Sequence, residues 1–203
     1  MLRNTVSGCV QPQADIDRLV ECAQQHGLAT HMDGARLLNS ATAQNPSPAR
    51  MVQAIDSVSL CLSKGLGVPL GSMLVGEVAF IKQARRWRKM LGGGMRQAGV
   101  IAAAGRYALR HNVARLADDH RRTKRLASAL EGVGDLTFDM SLVQTNMLFL
   151  QSAQMSAMAA YLGQQGIAIS ASGDTTRMVI HLDIDDVALQ QIIDAITDFF
   201  SQK

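Results

Sequence analysis

Aromatic side chains are scarce: Phe, Trp and Tyr make up 4% of the 203 residues, while 47% are hydrophobic overall. A sizeable core can form, but from Leu, Val, Ile, Ala and Met, and the eleven methionines read as core filler. Cysteine is sparse as well. Cys9, Cys22 and Cys61 are odd in number and lack pairing or metal-ligand spacing. That excludes a disulfide scaffold and a cysteine metal site, and it suits a reducing cytoplasm. No apolar run reaches the roughly 18 residues of a membrane span. Residues 1–20 show no charged segment followed by an apolar one, so no secretory leader is expected. Repeats and low-complexity segments are absent. A large charge imbalance is also lacking, with a net charge of +3. The basic clusters "ARRWRK" (84–89) and "HRRTKR" (120–125) follow helical periodicity and read as solvated faces, with nucleic-acid binding the weaker reading.

Helical and strand patterns alternate through the first half. "DIDRLVECAQQHG" (15–27) carries apolar residues at 16, 19, 20 and 23 and ends on a glycine suited to a C-cap. "LATHMDGA" (28–35) predicts a short strand ending at Asp33-Gly34. A helical piece follows, broken by "NPSP", and then a short helix over "ARMVQAI". "SVSLCLS" (57–63) and "GSMLVG" (71–76) predict strands, and 77–91 a helix. The order is that of an α/β layer. It offers about three strands, where a sheet has about five or six, and so looks like part of a sheet. After the loop "GGGMRQ", a long helical stretch is expected over about 98–131. From 132 onward the predicted order is strand "DLTFDM", strand "TNMLFLQ", helix 154–165, strand "GIAISAS", strand "RMVIHLDI" and helix 186–201. That is a small α+β unit, and the boundary is placed between 1–97 and 98–203, with the long helix as the link.

In open α/β sheets, ligands bind beyond the carboxyl ends of the strands. Asp33 stands at one such end and Lys64 at another, with Arg36 three residues after the aspartate. No acid occurs between Asp56 and Glu77. Spacing alone leaves two readings open: a structural ion pair from Asp33 to Lys64 or Arg36, and a site. The chemistry that asks for this set is that of pyridoxal phosphate. It needs a lysine amine, its pKa lowered by burial and neighbours, to form a Schiff base with the aldehyde. It needs an aspartate facing the pyridine nitrogen, so that the ring stays protonated and can accept electrons. Glycines at 65, 67 and 71 would let the backbone pass close to such a cofactor. His31 shares a strand face with Asp33; it and His181 read as structural.

"HMDGARLLNS", "SLCLSKGLGVPLGSMLVG", "RWRKMLGGGMRQAG" and "NVARLADDH", in that order, resemble the low-specificity L-threonine aldolases, of the β-eliminating lyase group of fold-type-I pyridoxal-phosphate enzymes. The resemblance runs from about residue 3 to the C-terminus. It implies an α/β fold: the C-terminal part of a fold-type-I transferase-like large domain, followed by the small α+β domain. It implies pyridoxal 5′-phosphate as cofactor and cleavage of L-threonine or L-allo-threonine to glycine and acetaldehyde. It further implies a small amino-acid substrate, no metal, no nucleic-acid or membrane partner, a cytoplasmic location and a homodimer or homotetramer. By the same resemblance Lys64 matches the Schiff-base lysine, Asp33 the partner of the pyridine nitrogen, and Arg36 an arginine at the cofactor. Ser63 is a candidate for the phosphate. Arg177, in "TTRMVIHLDI", matches the arginine that pairs with the substrate carboxylate. Lys89 and Arg96 match residues close to an active site, their own or a neighbouring subunit's.

The resemblance has departures. Near "LRNTVSG", Asn4 and Thr5 fit the family pattern, whereas Arg3 and Val6 stand where a glutamate and a histidine are usual. The family's glycine–threonine phosphate loop, its ring-stacking histidine and several of its strands lie upstream of anything matched here. The sequence is therefore expected to be a C-terminal part of such an enzyme, with residues 98–203 the more autonomous half. Two alternatives accompany that reading: an inactive remnant, and a related lyase acting on a different β-substituted amino acid.

Overall fold

The computed structural model describes residues 7–44 and 46–202, so the segment Arg3–Val6 lies outside the described residues. They fall into two compact units, one of residues 10–116 and one joining 7–9 to 117–202.

The first unit opens with helix α1 (Gln13–Gln25), which buries Ile16 and Val20 of the predicted stripe. Gly27, at φ 63°, ends it. The Gly27 amide donates to the Gln24 carbonyl and the Leu28 amide to the Ala23 carbonyl, the paired closure that a left-handed residue permits. Strand β1 (His31–Asp33) then pairs in parallel with β2 (Ser57–Cys61), which pairs antiparallel with β3 (Ser72–Gly76). Helices α2 (Leu37–Ala43) and α3 (Pro48–Met51) carry the chain from β1 to β2. Ser47 caps α3, its hydroxyl accepting from the Arg50 amide, with Pro48 in the first helical turn. The helix expected over "ARMVQAI" therefore stops after one turn. Leu37, Met51 and Val58 form one small core. A second gathers Leu62, Leu66 and Val68 against Ala108 of α5 (Gly99–His111). Helix α4 (Val78–Met90), preceding α5, buries none of its residues.

The helical stretch expected over about 98–131 is two helices, α5 and α6 (Leu116–Leu130), parted at residues 112–115. No proline or glycine marks this break.

The second unit is an antiparallel sheet in the order β4 (Met147–Gln151), β6 (Thr175–Val179), β5 (Ala171–Ser172). Residues 117–130 of α6, with α7 (Met155–Gln164) and α8 (Asp186–Ser201), cover one face of its core. Leu126, Leu130, Leu148, Leu150, Met155, Met158, Leu162, Leu189 and Ile196 are all essentially inaccessible, and each such burial contributes about 1.5–3 kcal/mol. Asp185 caps α8 by accepting from the Ala188 amide at 2.8 Å.

Three predicted strands shrink, and the one expected over "RMVIHLDI" ends at Val179. "DLTFDM" contributes only an isolated bridge from Thr137 to Gln151, because the Asp139 carboxylate accepts from the Ser141 amide and starts a 3₁₀ turn. "GIAISAS" pairs only at Ala171 and Ser172, beside a tight turn through Gly173 at φ 64°. The basic cluster "HRRTKR" has a structural partner: Arg122 meets Asp186 through two bonds at 3.1 and 3.2 Å. Those bonds, despite some desolvation, hold the Asp186 carboxyl down to about 2. Among the described residues no helix is long and apolar enough to cross a membrane.

Candidate active site

The carboxyl ends of β1 and β2 lie side by side because Asp33 is in register with Ser59. Gly34 makes that approach possible. Its amide donates to the Ser59 carbonyl at 2.8 Å, and a Cβ at this position would stand 2.8 Å from the same oxygen. Asp33 Oδ1 accepts from the Ala35 amide at 3.1 Å, which turns the chain toward α2. Arg36 then sits immediately before that helix.

Lys64 lies three residues past the end of β2, on a turn braced by its own backbone. The Gly67 amide donates to the Lys64 carbonyl at 2.8 Å, the Val68 amide to Leu62 at 3.1 Å, and the Leu62 amide to Gly71 at 3.0 Å. Gly67 and Gly71 take φ values of 70° and 114°, which side chains resist. Leu62, Leu66 and Val68 point into the core, while Ser63 and Lys64 face outward. Lys64, Arg36, Asn39 and Cys61 line one small cavity of about 10 Å³, closed below by Leu66 and Leu116.

Lys64 and Arg36 thus share a cavity, with Asp33 at the end of the adjoining strand. The burial expected of Lys64 is not found: its side chain is exposed, because the turn faces Leu62 and Leu66 inward and Ser63 and Lys64 outward. Lys89, in the last turn of α4, donates to the Gly94 carbonyl at 3.4 Å. Neither it nor the exposed Arg96 lines the cavity. Arg177 belongs to the second unit. Alternation along β6 turns Thr176 and Met178 inward and Arg177 to the open face, opposite Phe149. That unit also has a cavity of about 190 Å³ lined by Cys9, Leu142, Val143, Met147 and Phe149 among others. Its lining is mostly apolar, and none of the predicted site residues is in it.

Cys61 also lines the cavity of Lys64 and Arg36, which spacing did not reveal. Burial by itself would raise its thiol, but the Ser63 hydroxyl at 3.4 Å, the Ser63 amide, the Lys64 charge and Ser72 outweigh that and hold the thiol below its usual range. Asn39 was missed as well. It is 4% exposed beneath the lysine turn, and a lone asparagine in a helix carries no spacing signal.

These groups suit a cofactor that bears an aldehyde, a ring nitrogen and a phenolic oxygen. The set offers an accessible primary amine, a carboxylate, a guanidinium and the Ser63 hydroxyl. The cavity, about 10 Å³, is too small by itself to enclose a pyridine ring.

The family model for β-eliminating lyases matches residues 1–153. The chain is 42% identical over 193 residues to the low specificity L-threonine aldolase of Escherichia coli (strain K12), an alignment covering 94% of this chain and 57% of that protein. It is 41% identical over 174 residues to the low-specificity L-threonine aldolase 1 of Arabidopsis thaliana, covering 83% of this chain and 49% of the other. Among solved structures, a threonine aldolase of Leishmania major superposes with a TM-score of 0.74 at 17% identity, over 93% of this chain and 56% of that one. The chain spans about half the length of the relatives it matches. The structural likeness shows the fold: an α/β large-domain portion of the fold-type-I pyridoxal-phosphate transferase kind, with a small α+β domain.

Proposed function

This chain belongs to the β-eliminating lyase family, and we propose on that footing that it carries the lysine-bearing part of a pyridoxal-phosphate-dependent threonine aldolase. The reaction is cleavage of L-threonine or L-allo-threonine to glycine and acetaldehyde, a carbon–carbon lyase activity. The observation that carries this reading is the cavity lined jointly by Lys64 and Arg36 at the carboxyl ends of β1 and β2.

Bound pyridoxal phosphate supplies an electron sink for the pair left when the Cα–Cβ bond breaks. Lys64 supplies the amine that holds the aldehyde, and its exposed position on a braced turn suits it to carry a proton to and from Cα. Asp33 supplies the carboxylate for the ring nitrogen; its hydrogen bond from Ala35 fixes the carboxyl group without burying it. Arg36 and Ser63 are the candidates for the cofactor's oxygens. Arg177 is the candidate for the substrate carboxylate, which its planar fork can bind through two parallel bonds. Lys89 and Arg96 are candidates for the substrate side, their own or a second copy's. We further propose a cytoplasmic homo-oligomer. Three free cysteines suit that location. The apolar side chains left exposed on α4, including Val78, Phe80, Trp87 and Met90, suit a surface covered by a second copy.

The test is reductive trapping. The purified chain is incubated with pyridoxal 5′-phosphate, reduced with borohydride and mapped by peptide mass spectrometry. The label should concentrate on Lys64. A label spread over Lys82, Lys89 and Lys124 with no preference for Lys64 would sink the proposal. With threonine as substrate, acetaldehyde and glycine rather than 2-oxobutanoate and ammonia should appear.

A further inference from the structure

The sequence "NVARLADDH" belongs to the resemblance, yet the function above gives it no task. Its first part breaks the long helical stretch at residues 112–115, and the break faces the lysine turn. Asn112 closes α5, its amide donating to the Ala108 carbonyl at 2.8 Å. Its side-chain amide then donates to the Leu66 carbonyl at 2.8 Å, across 46 residues of sequence. Val113 packs on the cluster of Leu62, Leu66 and Val68. Leu116 is 1% exposed and lies under Gly65, where an added Cβ would come within 2.8 Å of its Cδ2 atom. Three side chains of one short segment therefore bear on the two residues that follow Lys64 and on the core beneath them.

We propose that the Asn112–Leu116 segment is the clamp that positions Lys64, with Asn112 as a positioning residue whose side-chain amide fixes the Lys64–Val68 turn through the Leu66 carbonyl. This rests on the reading of Lys64 as the cofactor lysine. An exposed side chain cannot be aimed by packing of its own, so its direction depends on the backbone that carries it. That backbone is braced by the Gly67 and Val68 amides, but none of those bonds reaches the Leu66 carbonyl, and Gly65 and Gly67 on either side of Leu66 are intrinsically permissive. The half-buried Asn112 bond to the Leu66 carbonyl adds a restraint from outside the turn, and losing it should make local opening about tenfold more frequent.

The experiment compares the full chain with its Asn112→Ala and Asn112→Asp variants by hydrogen exchange and by borohydride trapping with pyridoxal 5′-phosphate. In Asn112→Ala, protection of the Gly67 and Val68 amides should fall about tenfold, while amides of β4 and β6 keep theirs. The share of trapped pyridoxal found on Lys64, relative to Lys82, Lys89 and Lys124, should fall severalfold. Asn112→Asp preserves size and separates a bond from mere filling. Its carboxylate has no proton to donate at pH 8 and should loosen the turn, whereas acidification restores a donor and should restore protection after correction for intrinsic exchange. Unchanged exchange at Gly67 and Val68 in both variants at pH 8 overturns the clamp. A loosened turn with an unchanged Lys64 share overturns the positioning role. If the unaltered chain itself shows no preference for Lys64, the cofactor reading fails instead, and the exchange data still decide whether the clamp exists.

Discussion

The two units of this chain are held together differently. Residues 117–202 enclose one continuous core in which Leu126, Leu130, Met158 and Ile196 are inaccessible. Residues 10–116 have two small clusters, around Val58 and around Leu62. They also leave every residue of β3 exposed and bury none of α4. The groups proposed to hold the cofactor all belong to this thinly cored unit. Enclosure and chemistry are therefore separate properties here. The lysine turn gets its order from a few specific bonds, and the second unit gets its order from bulk burial.

The comparison can be broken in several ways. The largest effect is expected at Lys64. Lys64→Arg keeps the charge but removes the primary amine, and should abolish trapping at that position while leaving the urea midpoint of the chain unchanged. A change in that midpoint would show the lysine to be structural. Next in size is the core. Met158→Ala, in a side chain with no exposure, should cost about 2–5 kcal/mol by urea unfolding. Leu74→Ala, in a side chain 40% exposed, should stay within about 0.5 kcal/mol. Equal costs would erase the contrast. So would limited proteolysis that cuts 117–202 as readily as 57–98.

A pH effect should follow from His120 in the second unit. Burial, with help from the Lys124 charge, pushes its imidazole down to about 4 from an ordinary value of 6.5. The folded state therefore binds fewer protons than the unfolded state between those values. The stability contribution is complete above about pH 6.5 and is lost as pH falls toward 4. His120→Gln should flatten the dependence of the urea midpoint on pH in that window. An unaltered slope would assign it to other groups. The smallest expected effect is at Cys61. Its thiol should react with iodoacetamide severalfold faster than Cys22 at pH 7, and Lys64→Gln should reduce that advantage. Equal rates for the two cysteines would remove Cys61 from the site.

Much of this was legible in the sequence. The stripe of 16, 19, 20 and 23 gave α1, and Gly27 marked its end through a backbone that only glycine takes easily. The helix predicted over 186–201 is the one observed. Asp33 and Lys64 could be placed at strand ends because apolar runs stop just before them. The failures have different causes. "DLTFDM" alternates like a strand, but Asp139 bonds Ser141 two residues on and leaves the sheet. The stretch over 98–131 is helical by every local measure, yet it breaks at Asn112, whose side chain bonds a carbonyl 46 residues away. Burial of Lys64 was expected from the Schiff-base chemistry, but the turn gives its inward positions to Leu62 and Leu66 and leaves the lysine exposed.

Periodicity, capping and turn chemistry act over a few residues, so the sequence by itself determined most of the helices and strands, where several of them end, and which residues are candidates for chemistry. Proximity across dozens of residues has no local code. Only the tertiary structure decided that Arg36 and Cys61 share a cavity with Lys64, that Gly34 is needed for β1 to reach β2, and that Asn112 holds the turn on which the lysine stands. Each of those depends on where two distant backbones come within hydrogen-bonding or van der Waals range.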